Sequence, residues 1–185
     1  MPATKPRRPT DHGMSRSSFY RKARAGNYEK ISRGLYLPAG ANAADWDWLE
    51  AASRHPRATI CLTSALAYYD LIDDIPAALD IAIPRGTRAP ATTSAIEWHH
   101  FAADTFNLGR SKIRIPGSTL SIGIYSPERC IADAFRLRGN NGYELGRNAL
   151  REWLRRGGKP ADLMAIATKL PRAKGPILQT LDAIA

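Results

Sequence analysis

Two carboxylates stand where a metal-dependent nuclease would carry them. Asp80 lies in the alternating run Leu79–Ile83, which reads as a buried strand, and Glu97 lies in a second strand, 95–101. Carboxylates presented by strands can hold a divalent ion and the water it activates. Such cores usually place a lysine two residues after the second carboxylate, and here that position is His99. A nuclease is therefore an alternative reading, and the leading expectation is a chain without catalysis. The other candidates are weaker. His12, His55, His99, His100, Cys61 and Cys130 show no metal-ligand spacing, and adjacent His99 and His100 point to opposite faces of a strand. No metal site is expected. Gly139-Asn140-Asn141-Gly142 lacks both the pattern and the lysine of a phosphate loop. Asp45 and Asp47, two apart on a helix, face about 200° away from each other and cannot share an ion. Ser126, with Glu128 and Arg129 behind it, is accounted for as a helix cap. No cofactor is expected.

The cations say more. Lys and Arg total 27 against 17 Asp and Glu, a formal net charge of +10. Residues 1–38 carry nine basic and two acidic side chains, residues 39–135 eight and eleven, and residues 136–185 ten and four. A merely solubilising surface would not segregate charge in this way. Basic surfaces attract polyanions by releasing condensed counterions, so nucleic acid is the first partner to consider. Within the basic start, Ser15 is a good N-cap for a helix over 16–25, and Gly26-Asn27 stops it. Arg16, Ser17, Tyr20, Arg21 and Arg24 gather along one side of that helix, while Phe19 and Ala23 turn inward, and Ser15 at its start is expected to join them as a DNA contact. Arginine forks onto guanine, and Ser and Tyr hydroxyls fix phosphates, so this side suits a major groove. Tyr28–Ile31 and Leu35–Leu37 flank the turn Ser32-Arg33-Gly34 and form a hairpin. Lys30 and Arg33 on it are expected wing contacts to backbone or minor groove.

These elements set the organisation. The expected fold is α+β: a small basic winged-helix module, then a mixed β-sheet domain with a helical C-terminal tail. Residues 1–14 are expected to be a disordered basic arm, 15–40 the reduced winged helix, and 41–185 the second domain. In that domain the pattern predicts a helix over 45–55, a strand over 58–62 and a helix over 63–71 begun by a Thr63 cap. The strand Leu79–Ile83 follows, then a mobile loop over 85–94 and the strand over 95–101. A hairpin over 112–125 and a helix from Ser126 to about residue 138 come next. Helices are then expected over 143–156, 160–170 and 175–184, with Arg147, Arg151 and Arg155 four apart on one face. Two cysteines without CxxC spacing, no apolar run of the ~20 residues a membrane span needs, and no secretory pattern predict free thiols in a cytoplasmic protein without a membrane partner.

Four blocks resemble the AbiE-type (AbiEi) antitoxin family. The first is Gly26–Leu37, where Gly26, Tyr28, Ile31, Arg33, Gly34, Leu35 and Tyr36 are similar to the family's wing. The others are Ile60–Leu66, Asp80–Gly86, and Tyr125–Asp133 with its Ser126-Pro127-Glu128-Arg129 helix start. In this order they cover roughly residues 14–135. The resemblance implies a transcriptional autorepressor that binds inverted repeats in its own promoter, as a homodimer on that DNA. It also implies an antitoxin whose C-terminal domain neutralises a nucleotidyltransferase-like toxin. The family's module usually has one or two helices before the recognition helix. Here only about 14 residues precede it, and Lys5, Arg7 and Arg8 are expected to reach a minor groove instead. Arg147, Arg151 and Arg155 fit DNA, a neighbouring copy or the toxin. A second alternative is an antitoxin that does not bind DNA and grips an acidic toxin surface, or the toxin's RNA substrate, with its basic ends.

Overall fold

A computed structural model describes residues 8–39, 45–136 and 142–184, without the side chains of His12 and Ser32. Lys5, Arg7, most of the 39–44 linker with the 40/41 boundary, and the Asn140-Asn141 break lie outside them. The fold is α+β, and the chain divides into two compact units. The first takes the described residues up to Ala58 with Arg88–Ile96 and Lys112–Gly123; the second takes Thr59–Thr87, Glu97–Ser111 and the described residues from Ile124 on.

In the first unit a 3-10 turn, Pro9–His12, packs against helix α1, Arg16–Arg24. This corrects the expectation of an arm disordered as far as residue 14. Pro9 supplies the helical φ at the first position, the Asp11 carboxylate accepts the Arg8 N–H at 3.0 Å, and Gly13 closes the turn at φ 64°. Ser15 caps α1 as expected, its hydroxyl accepting the Ser18 N–H at 3.2 Å. Strands β1 (Tyr28–Ser32) and β2 (Leu35–Pro38) pair antiparallel with Lys30 opposite Tyr36, and the register shifts between Lys30 and Ser32. Gly34, at φ 76°, provides the left-handed residue that turns the hairpin. The module closes on Phe19, fully buried, whose ring meets Tyr28 at 4.8 Å and Tyr36 edge-on at 4.9 Å. Ile31, Leu35 and Leu37 are buried too. Helix α2, Trp46–Arg54, follows, and its Arg54 Nη2 donates to the Arg33 carbonyl at 2.9 Å. The loop expected to be mobile is tied at its far end: the buried Glu50 carboxylate accepts the Thr93 and Ser94 N–H groups at 2.9–3.1 Å.

The strands β3 (Thr59–Ile60), β4 (Leu79–Pro84), β5 (Ile96–Phe101), β6 (Arg110–Arg114) and β7 (Ser121–Tyr125) form one sheet in the order β5-β4-β3-β7-β6. Strand β3 is antiparallel to β4, Ile60 lying opposite Ile81. Only two residues of the expected five-residue strand pair, because the chain turns at once into helix α3, Leu62–Tyr68, with Cys61 at its N-cap and no side-chain cap. The expected Thr63 cap is corrected: Cys61 stands at the N-cap, two residues earlier, and the helix ends at Tyr68 rather than at residue 71.

Helix α4, Pro127–Arg136, is the hub of the second unit and packs against α3, α5 (Gly142–Arg155), α6 (Pro160–Ala167) and α7 (Lys174–Ile184). Every residue of α4 from Arg129 to Phe135 is buried. Both cysteines are buried free thiols, and burial pushes each thiol well above its ordinary range. Among the described residues no helix is long and apolar enough to cross a membrane.

Candidate functional site

Helix α1 presents the side that its spacing predicted. Ser15, Arg16, Ser17, Tyr20, Arg21 and Arg24 are all exposed, and Phe19 on the opposite side is buried. No acidic residue lies in its first turn, and Arg21, Lys22 and Arg24 occupy its last turn, where cations meet the negative end of the helix dipole. Tyr20 stands at the border, 43% exposed, with its ring edge-on to Phe19 at 5.8 Å and to Tyr36 at 6.3 Å. Burial and the nearby Tyr20 together raise the Tyr36 hydroxyl above its usual range. Lys30 on β1 and Arg33 in the turn are exposed as well. One helix side and one hairpin thus carry five exposed cations, Arg16, Arg21, Arg24, Lys30 and Arg33, within a single small unit.

The expected arginine row on α5 comes out differently. Arg151 and Arg155 are exposed and Arg147 is half-buried, opposite the buried Gly146, Ala149, Leu150 and Trp153. Arg155 is spoken for: its Nε and Nη2 donate to the Glu152 carboxylate at 2.7 and 2.6 Å. Arg156 donates to the same carboxylate at 2.6 Å and also to the carbonyls of Tyr69 and Asp70. Hydrogen bonds from Arg155 and Arg156 hold the Glu152 carboxyl down at about 2. Arg151 and Arg155 line a groove that also holds Asp70, Asp73 and Asp74, so this face has mixed charge.

In the second unit the neighbouring strands β4 and β5 bring Asp80, Glu97 and His99 together, with one ligand atom of each lying within 4.8 Å of the others. His99 Nε2 sits 2.8 Å from Asp80 Oδ1, while Asp80 Oδ2 accepts from the Ser64 N–H and hydroxyl, both at 3.2 Å. Ser64 Oγ in turn accepts the Asp80 N–H at 2.8 Å, so the carboxylate is held in one orientation. Asp80 is 9% exposed, His99 is intermediate and Glu97 is exposed. Glu97 has no hydrogen-bond or ion-pair partner among the described residues. His100 points away, its Nε2 at 3.0 Å from the Thr87 carbonyl, as adjacent strand positions require.

One polar assembly escaped the sequence reading. Arg129 is wholly buried; its Nε donates to Asp133 Oδ2 at 2.8 Å, and its Nη1 donates to the carbonyls of Thr105 and Leu108 at 2.7 and 2.8 Å. Its guanidinium lies 4.5 Å from the Tyr125 ring centre, a cation–π contact. Arg136 donates to the other Asp133 oxygen at 2.6 Å. Ser126, Glu128 and Arg129 thus open a structural helix, and the Ser126 hydroxyl accepts the Arg129 N–H at 3.4 Å as its cap. The signal available in sequence was the spacing of Arg129, Asp133 and Arg136 within an otherwise apolar run.

No protein-family model matches the chain, and no curated protein matches it.

Proposed function

We propose that the protein is a DNA-binding regulator and antitoxin of the AbiE type, acting by stoichiometric binding. On this reading α1 enters a major groove of inverted-repeat operator DNA, with Arg16, Arg21 and Arg24 toward base edges or phosphates. Ser15, Ser17 and Tyr20 hydroxyls fix the backbone, and Lys30 and Arg33 reach it from the hairpin. A homodimer would place two such helices on the two half-sites. The C-terminal domain would neutralise a nucleotidyltransferase-like toxin in the cytoplasm. The observation that carries the reading is α1 itself, cationic and hydroxyl-bearing along one exposed side and anchored through Phe19 on the other.

The test is the double variant Arg21→Ala/Arg24→Ala. Both side chains are exposed, so the fold survives, operator affinity falls at least tenfold, and toxin neutralisation is unchanged. Operator affinity equal to that of the unmodified protein, measured by mobility shift, would remove α1 from the interface. Loss of both activities in a folded variant would contradict the division of labour.

A second reading draws on the Asp80, Glu97 and His99 cluster, whose composition suits metal-dependent phosphodiester hydrolysis. It requires DNA or RNA cleavage that appears with a divalent ion and disappears in Glu97→Gln.

A further inference from the structure

The geometry points to a divalent-cation site formed by Asp80, Glu97 and His99. This site stands independently of the DNA-binding reading: the interface above lies in the first unit, and these three residues lie in the second.

Three features carry it. The donors are of mixed kind, two carboxylates and one imidazole, and they converge from neighbouring strands to within 4.8 Å of one another. Metal–oxygen and metal–nitrogen bonds of about 2.0–2.2 Å place adjacent and opposite ligands roughly 3–4.4 Å apart. Closing the remaining few tenths of an ångström needs only a rotation of Glu97, which is exposed and has no hydrogen-bond or ion-pair partner among the described residues. The second feature is orientation. Ser64 takes up Asp80 Oδ2 and leaves Oδ1 turned toward His99 Nε2 at 2.8 Å. Outer hydrogen bonds that aim a ligating carboxylate are a regular part of metal sites. The third is charge. Two carboxylates at this separation repel each other, and a single imidazole can balance at most one of them. A doubly charged cation balances both.

The donor set also selects the ion. One imidazole with two carboxylates suits first-row divalent cations such as Mn²⁺, whereas Ca²⁺ prefers six to eight oxygens. Three protein ligands leave further positions to water. Asp80 is the buried donor, 9% exposed on β4, and Glu97 is the donor at the surface, where an ion can enter.

The test is a Mn²⁺ titration of the full chain, free of any histidine tag, followed by the electron paramagnetic resonance of free Mn²⁺. The unmodified protein binds one Mn²⁺ per chain, and its melting temperature rises with Mn²⁺ concentration. Glu97→Gln and His99→Gln each weaken binding at least tenfold, and for the exposed Glu97→Gln the metal-free circular dichroism and melting stay unchanged. Absence of saturable one-to-one binding overturns the site. So does binding of equal strength in Glu97→Gln. Should either variant fold poorly, the Mn²⁺-dependent rise in melting temperature of the unmodified protein decides alone, and its absence refutes the inference.

Discussion

At the scale of single residues, the second unit depends on a buried ion network that no surface reading of the sequence would suggest. Arg129 and Asp133 are 0% and 1% exposed, and two carbonyls and the Tyr125 ring also contact the guanidinium, whose Nη2 has no hydrogen-bond partner among the described residues. Removing one member of such a pair leaves an uncompensated charge in the interior, at a cost of about 3–5 kcal/mol. Asp133→Ala is therefore expected to lose stability of that order in urea denaturation. The paired replacement Arg129→Met/Asp133→Leu, which removes both charges, loses clearly less. A small effect of Asp133→Ala alone would show that water reaches this pair. Arginine is ordinarily a surface residue, which is why Arg129 reads as exposed from its type; only the positions of Asp133 and Arg136 hint otherwise. His99 and Asp80 teach the complementary lesson. Their types and strands were legible, but nothing along the chain states that β5 lies beside β4, and that neighbourhood creates the 2.8 Å contact.

At the scale of elements, the parts with local punctuation were the most legible. Ser15 at the start of α1, Gly34 in the hairpin turn and Ser126 before Pro127 each act within a few residues, and each element begins or turns where they stand. Strand β3 was less legible, because the apolar run from Ile60 through Leu62 suits strand and helix alike. The 3-10 turn at Pro9–His12 was hidden because a proline in a short polar stretch gives no helical periodicity, although here Pro9 sets the first helical residue. On α5 the row of arginines was legible, but the role of Glu152 within it was not. Glu152 gathers Arg155 and Arg156, and Arg156 extends to the carbonyls at the end of α3. Its carboxyl is held at about 2, below its unfolded value. The stability it adds is thus present above the ordinary carboxylate range and is lost as pH falls toward 2. The side chains face solvent, so the effect is small. Glu152→Gln is expected to lower the melting temperature slightly at pH 7, with the difference vanishing as pH approaches 2. A difference that grows on acidification would contradict this assignment.

At the scale of the whole molecule, charge is divided as the proposed function would require. The basic start forms one helix and one hairpin around Phe19 within the first unit, while the mildly acidic middle supplies the five-stranded sheet and the buried α4. The α+β architecture was legible because the strands of the sheet gather in the middle of the chain and the helices of the tail follow them. The central claim is that the first unit reads DNA, and a mobility shift on the protein's own upstream promoter tests it most directly, at ~50 and ~200 mM salt with competitor DNA present. Each phosphate contact contributes about 0.9 to the log–log salt slope, so five cations on α1 and the hairpin permit a slope of up to about 4.5 per bound copy. Affinity would then fall by up to roughly 500-fold over that fourfold rise in salt. The account predicts a promoter-specific shift that survives competitor at the lower salt and weakens steeply at the higher. A shift erased equally by any DNA, or no shift at the lower salt, would contradict it.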